Sequence, residues 1–295
     1  MTTNRKNQLL LILAGVLVGA LIYFAPHQKS IQEASLSDEI DEAKVMGDDH
    51  EHEAGEDHDH EHKQESDVMN QLDSTEQEFI SSTAERANKI ADVETKLSLY
   101  DTLIQFSIRK NIPPLVAKYS AEKAKAVPTE NNWMMAGDNY FKAFRLSKNT
   151  SKSLIKGAVR SYEEVLKLNS ENLDAQTALG VAYVEGAAQM GAMPMKGIGI
   201  LKEVINKDPK NVNALTNLGY FAIQSGQYEK AIERFESILK IDPENAEAYL
   251  YLTDIYLSQD RKEKGIETLE KYKSLVSDPL VLQQVEDYIK EIENK

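Results

Sequence analysis

The chain has 295 residues, 41% of them hydrophobic, no cysteine and a formal net charge of −14. A sizeable core is therefore possible, while the missing cysteine excludes disulfides, thiolate metal sites, a cysteine nucleophile and a lipidated cysteine. The charge is local, because residues 30–66 hold fourteen acidic side chains against Lys44 and Lys63; the near-neutral remainder lacks the clustered Lys and Arg of a nucleic-acid binder.

Residues 1–8 lead into LLLILAGVLVGALIYFA at 9–25, seventeen residues without a charge. As a helix this run is about 25 Å long, a little short of a hydrocarbon core of about 30 Å. Snorkelling flanks and local thinning close that gap, and Tyr23 and Phe24 stand where interfacial aromatics stand. Arg5 and Lys6 before an apolar run also suit a cleaved signal peptide. The length of the run, and Pro26 directly after Ala25, favour an uncleaved transmembrane anchor. The positive-inside rule then keeps the N-terminus in the cytoplasm. Everything after Pro26 is expected beyond the inner (cytoplasmic) membrane, in the periplasm or outside the cell.

Residues 26–66 read as a disordered acidic tether, too poor in apolar residues and too self-repelling to pack. The segment HEHEAGEDHDHEH holds His50, His52, His58, His60 and His62. Imidazoles alternating with carboxylates suit zinc or another divalent metal, without a single preorganised geometry. The plain alternative is a spacer, and no cofactor is required.

Residues 67–128 read as helices over 79–91, 97–108 and 115–126, the last opened by Pro113-Pro114, since proline suits a first turn. They are either degenerate repeats or a separate helical region. A recurring helix pair follows over 130–278. In one unit Leu215, Gly219 and Ala222 lead to Gly226, then to Ala231, Phe235 and Ile238 on one helix face, closed by Asp242-Pro243. Thirty-four residues later stand Tyr249, Thr253, Tyr256, Asp260, Gly265, Leu269 and Tyr272. One unit earlier stand Gln176, Leu179-Gly180, Tyr183, Gly197, Leu201, Val204 and Asp208-Pro209. The first unit opens with Trp133, Ala136-Gly137 and Tyr140 and continues with Ala158, Tyr162, Val165 and Leu168.

This pattern resembles the tetratricopeptide repeat family over about half the chain. It departs from it at Ser170, where the closing proline is missing, and at Thr253, where a glycine is usual. The resemblance implies an all-α protein: a right-handed superhelical solenoid of helix pairs, following the transmembrane helix and the tether. Each pair leaves an apolar face that its neighbour covers. Residues 279–295, with Val281, Val285, Ile289 and Ile292 on one face, suit a C-terminal capping helix.

The resemblance also implies that the first helix of each pair lines a groove for a protein or peptide partner. The residues expected there are Met134, Asp138 and Phe141, then Asp174, Thr177 and Val181, then Asn213, Asn217, Tyr220 and Gln224, then Tyr251 and Asp254. Only Asn217 matches the Lys, Arg and Asn set with which chaperone-binding members hold a C-terminal carboxylate, so that function is not expected here. With every histidine confined to the N-terminal part, no Ser–His–Asp arrangement can form in the folded body, and no phosphate loop is present. An enzyme is not expected. Met190, Met193 and Met195 could hold Cu(I), although packing or partner contact is the commoner use of methionine. Extra residues within 146–157 and 186–196 are expected to form a lip of loops beside the groove. The function these features suggest is a membrane-anchored adaptor in envelope assembly, secretion or maturation. The alternative is a metal-buffering or metal-delivery protein that uses its histidine tether.

Overall fold

A computed structural model describes residues 68–148 and 150–294; the anchor expected at 9–25 and the tether at 26–66, with its histidines, lie outside them. Among the described residues all regular structure is helical, and no helix is long and apolar enough to cross a membrane. The helices are α1 (Ser74–Lys89), α2 (Val93–Arg109), α3 (Pro113–Ala126), α4 (Glu130–Leu146), α5 (Lys152–Leu168), α6 (Leu173–Glu185), α7 (Ala187–Met190), α8 (Met195–Lys207), α9 (Val212–Gln224), α10 (Tyr228–Ile241), α11 (Ala246–Ser258), α12 (Lys262–Leu275) and α13 (Pro279–Glu293). They fall into two compact units, one built on residues up to 175 together with 185–192, the other on 176–184 and 193–294.

Two kinds of turn alternate along the chain, and side-chain chemistry sets each. At the end of α5, α8 and α10, the side-chain oxygen of Asn169, Asp208 or Asp242 accepts the N–H two residues on, at 3.1, 3.0 and 3.1 Å. One residue further, Asn172, Asn211 or Asn245 accepts the N–H of Ala175, Ala214 or Ala248, each at 2.9 Å, and so caps the next helix. Ser170 in place of proline leaves this bonding intact, because the Asx residue and the capping Asn carry the turn. The other turn passes through the left-handed region, at Asn111 (φ 55), Lys148 (φ 58), Gly226 (φ 71) and Asp260 (φ 57). After three of these, Ile112, Gln227 and Arg261 bond back to the carbonyls of Ser107, Ala222 and Tyr256 at 2.9, 2.8 and 2.8 Å, a Schellman closure. The pair α2–α3 thus shares the turn of α9–α10 and α11–α12.

In the C-terminal unit, Phe235, Ile238, Leu252, Ile255 and Tyr256 form one core, and Leu269, Tyr272, Val285, Ile289 and Ile292 a second, beneath α13. Close approach explains the small residues. A Cβ on Gly219 would stand 2.8 Å from the Phe235 ring. At α11 the glycine is replaced by Thr253, whose hydroxyl pairs at 2.8 Å with that of Thr268 on α12. Both threonines are buried, so a satisfied hydroxyl pair fills the space that bare backbone fills elsewhere. In the N-terminal unit α1–α3 share a core of Ile80, Tyr100, Leu103, Leu115 and Tyr119, and α4 packs between α3 and α5.

The expected lip of loops is only partly found. The extra residues of the first repeat lengthen its helices: α4 and α5 have 17 residues each, against 13 and 14 for α9 and α10. Leu154 and Ile155 are buried on α5, and burial of such side chains makes an added helical turn more stable than an open loop. Lys152 and Lys156 are therefore helical. In the second insertion Ala187–Met190 forms a single turn, ended by Gly191 at φ 64, and Met193 and Met195 are exposed.

Candidate partner-binding face

Met134, Asp138 and Phe141 lie on α4 at i, i+4 and i+7, hence on one helix face. Asp138 accepts a 3.0 Å hydrogen bond from the hydroxyl of Tyr162 on α5. Burial raises the Asp138 carboxyl above its ordinary range, the tyrosine bond opposing that rise. Burial, followed by the nearby Asp138 charge, likewise pushes the Tyr162 hydroxyl up. Phe141 stacks near Phe144, with centroids 6.2 Å apart, and the Arg145 guanidinium lies 4.4 Å over its ring. Arg145 also donates twice to the Glu185 carboxylate, at 3.0 and 2.5 Å. Tyr162, Arg145 and Glu185 thus complete a cluster of which the first-helix pattern shows only Asp138 and Phe141. Partners 24 and 40 residues away leave no local signal.

The C-terminal unit holds the remaining expected residues apart from Asp174. Asn213 is exposed, and Asn217 donates to its backbone and side-chain oxygens, both at 2.9 Å. Gln224 donates at 2.9 Å to the hydroxyl of Tyr220. Tyr220 itself is only 7% exposed, so it serves as a buried anchor for Gln224 and offers little free aromatic surface. Tyr251 on α11 stacks on Phe235 at 4.6 Å. Burial, then the neighbouring Glu247 and Tyr220, pushes its hydroxyl up. Asp254 keeps an exposed face yet sits among apolar neighbours whose desolvation raises its carboxyl.

Helix α6 departs from the expected pattern. Thr177 and Val181 are 1% and 6% exposed and offer no contact surface. The sequence of α6, LDAQTALGVAYVE, is apolar around much of its circumference, which draws most of the helix inside; Asp174 at its start is exposed.

A narrow recess open at one side, with a volume of about 30 Å³, lies between α11, α12 and α13. Leu250, Leu257, Leu269, Val281 and Val285 line it, with Asp254 and Gln284 among the polar groups. Reading first helices alone missed it, since six of its ten lining residues come from α12 and α13. Its signal was the stripe Glu247, Leu250, Asp254 and Leu257, which shares one helix face.

Family models described as tetratricopeptide repeat match residues 222–282 and 200–233. Residues 200–282 are tetratricopeptide repeats, which span α9–α12 and parts of α8 and α13. No curated protein matches the chain. Among solved structures, MamA 41-end from Desulfovibrio magneticus RS-1 is 20% identical, with 61% of this chain and 94% of that one covered and a TM-score of 0.44. YrrB, titled a TPR protein with an unusual peptide-binding site, is 18% identical over 70% of this chain and 97% of its own, with a TM-score of 0.41.

Proposed function

We propose that the chain is a membrane-anchored adaptor that holds a protein or peptide partner on the face formed by α9, α11 and α13. One observation carries this reading: Asn213, Gln224, Glu247 and Asp254 are exposed polar groups on a frame whose aromatic supports, Tyr220, Phe235 and Tyr251, are packed against one another or against that frame. Fixed side chains lose little entropy on binding, so such a face is preorganised for recognition. The repeats at 200–282 are consistent with it. The apolar run at 9–25 supplies the anchor, with the N-terminus in the cytoplasm and the repeats exported, which suits assembly, secretion or maturation in a cell envelope. The reading assigns the chain no catalytic step.

The test uses the full chain in its own membranes, with a photo-crosslinking residue at Asn213 or at Gln224, and at Lys240 on α10 as control. Discrete crosslinked products at Asn213 and Gln224, absent at Lys240, are expected. Equal labelling at all three positions would overturn the assignment of the face. The histidines at 50, 52, 58, 60 and 62 support a second reading, metal capture by the tether with the repeats as a delivery dock. Deleting residues 48–63 separates the two, since an adaptor keeps its crosslinks and a metal buffer loses its phenotype.

A further inference from the structure

The recess between α11 and α13 contains two polar side chains that the fold does not use. Asp254 makes no hydrogen bond or ion pair among the described residues, and desolvation is the sole influence on its carboxyl. Gln284 is 6% exposed, lines the same recess and makes no side-chain hydrogen bond among the described residues. Asp254 is exposed, so its carboxylate is open to a partner from outside, and Gln284 stands beside it in the same recess. Around these two, the wall is aliphatic: Leu250, Leu257, Val281 and Val285. None of the lining residues is a cation. Of the lysines on α12 and α13, Lys273 pairs with Glu270 and Glu286, and Lys290 with Asp287.

We infer that this recess seats one lysine or arginine side chain of the partner polypeptide. The aliphatic stem lies along Leu250, Leu257 and Val281, as long basic side chains do on apolar surface. The charged head pairs with the Asp254 carboxylate, and the Gln284 amide oxygen accepts a second hydrogen bond. An acidic side chain would place a second negative charge beside Asp254. A purely apolar one would leave the carboxylate and the amide desolvated and unpaired, which is the stronger form of discrimination. The inference rests on the adaptor reading and adds to it the chemistry of one anchor residue.

The probe is a set of peptides, acetyl-Ala-Ala-Xaa-Ala-Ala amide, with lysine, arginine, norleucine or glutamate at the centre. They are titrated into the full chain carrying labelled Leu and Val methyl groups. Lysine and arginine peptides should shift the methyls of Leu250, Leu257, Val281 and Val285 and bind at least tenfold more tightly than the norleucine or glutamate peptides. Added salt should weaken that preference. Asp254→Asn should remove the preference while leaving the melting temperature unchanged or higher, so lost binding cannot be confused with lost folding. Equal affinity for lysine and norleucine, or a preference that survives Asp254→Asn, would overturn the inference. If crosslinks at Asn213 and Gln224 persist in that case, the adaptor reading stands; if they are absent too, both fall.

Discussion

Phe235→Ala removes the ring on which three helices of the C-terminal unit converge. The side chain is fully buried. It fills the space left by Gly219 on α9, where even a Cβ would come within 2.8 Å, and it stacks at 4.6 Å on Tyr251 of α11. Truncating a buried phenylalanine costs about 3–5 kcal/mol when the surroundings cannot collapse. Here Gly219 has no side chain with which to fill the void, which places the expected value in the upper half of that range. Phe235→Leu keeps most of the volume and should cost less than about 1.5 kcal/mol. Repeats couple mainly to their neighbours, so the loss should be regional. Hydrogen exchange on the full chain should show lost protection across α9, α10 and α11, with α1–α3 unaffected. Denaturant unfolding followed by circular dichroism supplies the free energy. A cost below about 1 kcal/mol for Phe235→Ala, or a loss of protection spread evenly over all helices, would refute the assigned packing.

Three further outcomes can be measured. Gly226→Ala forces an L side chain into φ 71 and should cost roughly 1–2 kcal/mol, whereas Asp260→Gly, relieving the same conformation at φ 57, should raise the melting temperature. Asp254 is held neutral more readily in the folded chain than in the unfolded one, so its contribution is present below the ordinary value of 3.8 and is lost as pH rises through the raised folded value. Asp254→Asn should accordingly be more stable than the parent at neutral pH and indistinguishable from it near pH 3; a gap that widens on acidification would contradict the desolvation argument. At the histidine tether, the full chain should bind zinc at neutral pH and release it near about pH 5 as imidazoles protonate, and calorimetry with no competition between zinc and protons would remove the metal reading.

Local chemistry alone determined much of this protein. The spacing of Ala231, Phe235 and Ile238 names the buried face of α10, and those residues are buried. Asp208-Pro209 and Asp242-Pro243 mark helix ends, because a helix cannot continue through proline. The glycines at 137 and 219 mark where two helices meet, and each faces an aromatic ring, Tyr162 or Phe235. These signals are short-range, so they are written within a few residues. What covers an outward face is not. The periodicity that put Thr177, Val181 and Tyr220 on an accessible stripe holds, yet all three are buried. Added length near Lys148 became helix, because Leu154 and Ile155 found a core to enter. The recess around Asp254 exists only once α13 lies beside α11, and the Asp138–Tyr162 and Arg145–Glu185 bonds join residues 24 and 40 positions apart. A helix pattern states which side chains share a direction; only the packing of other helices against that direction decides whether they meet solvent, a partner or one another.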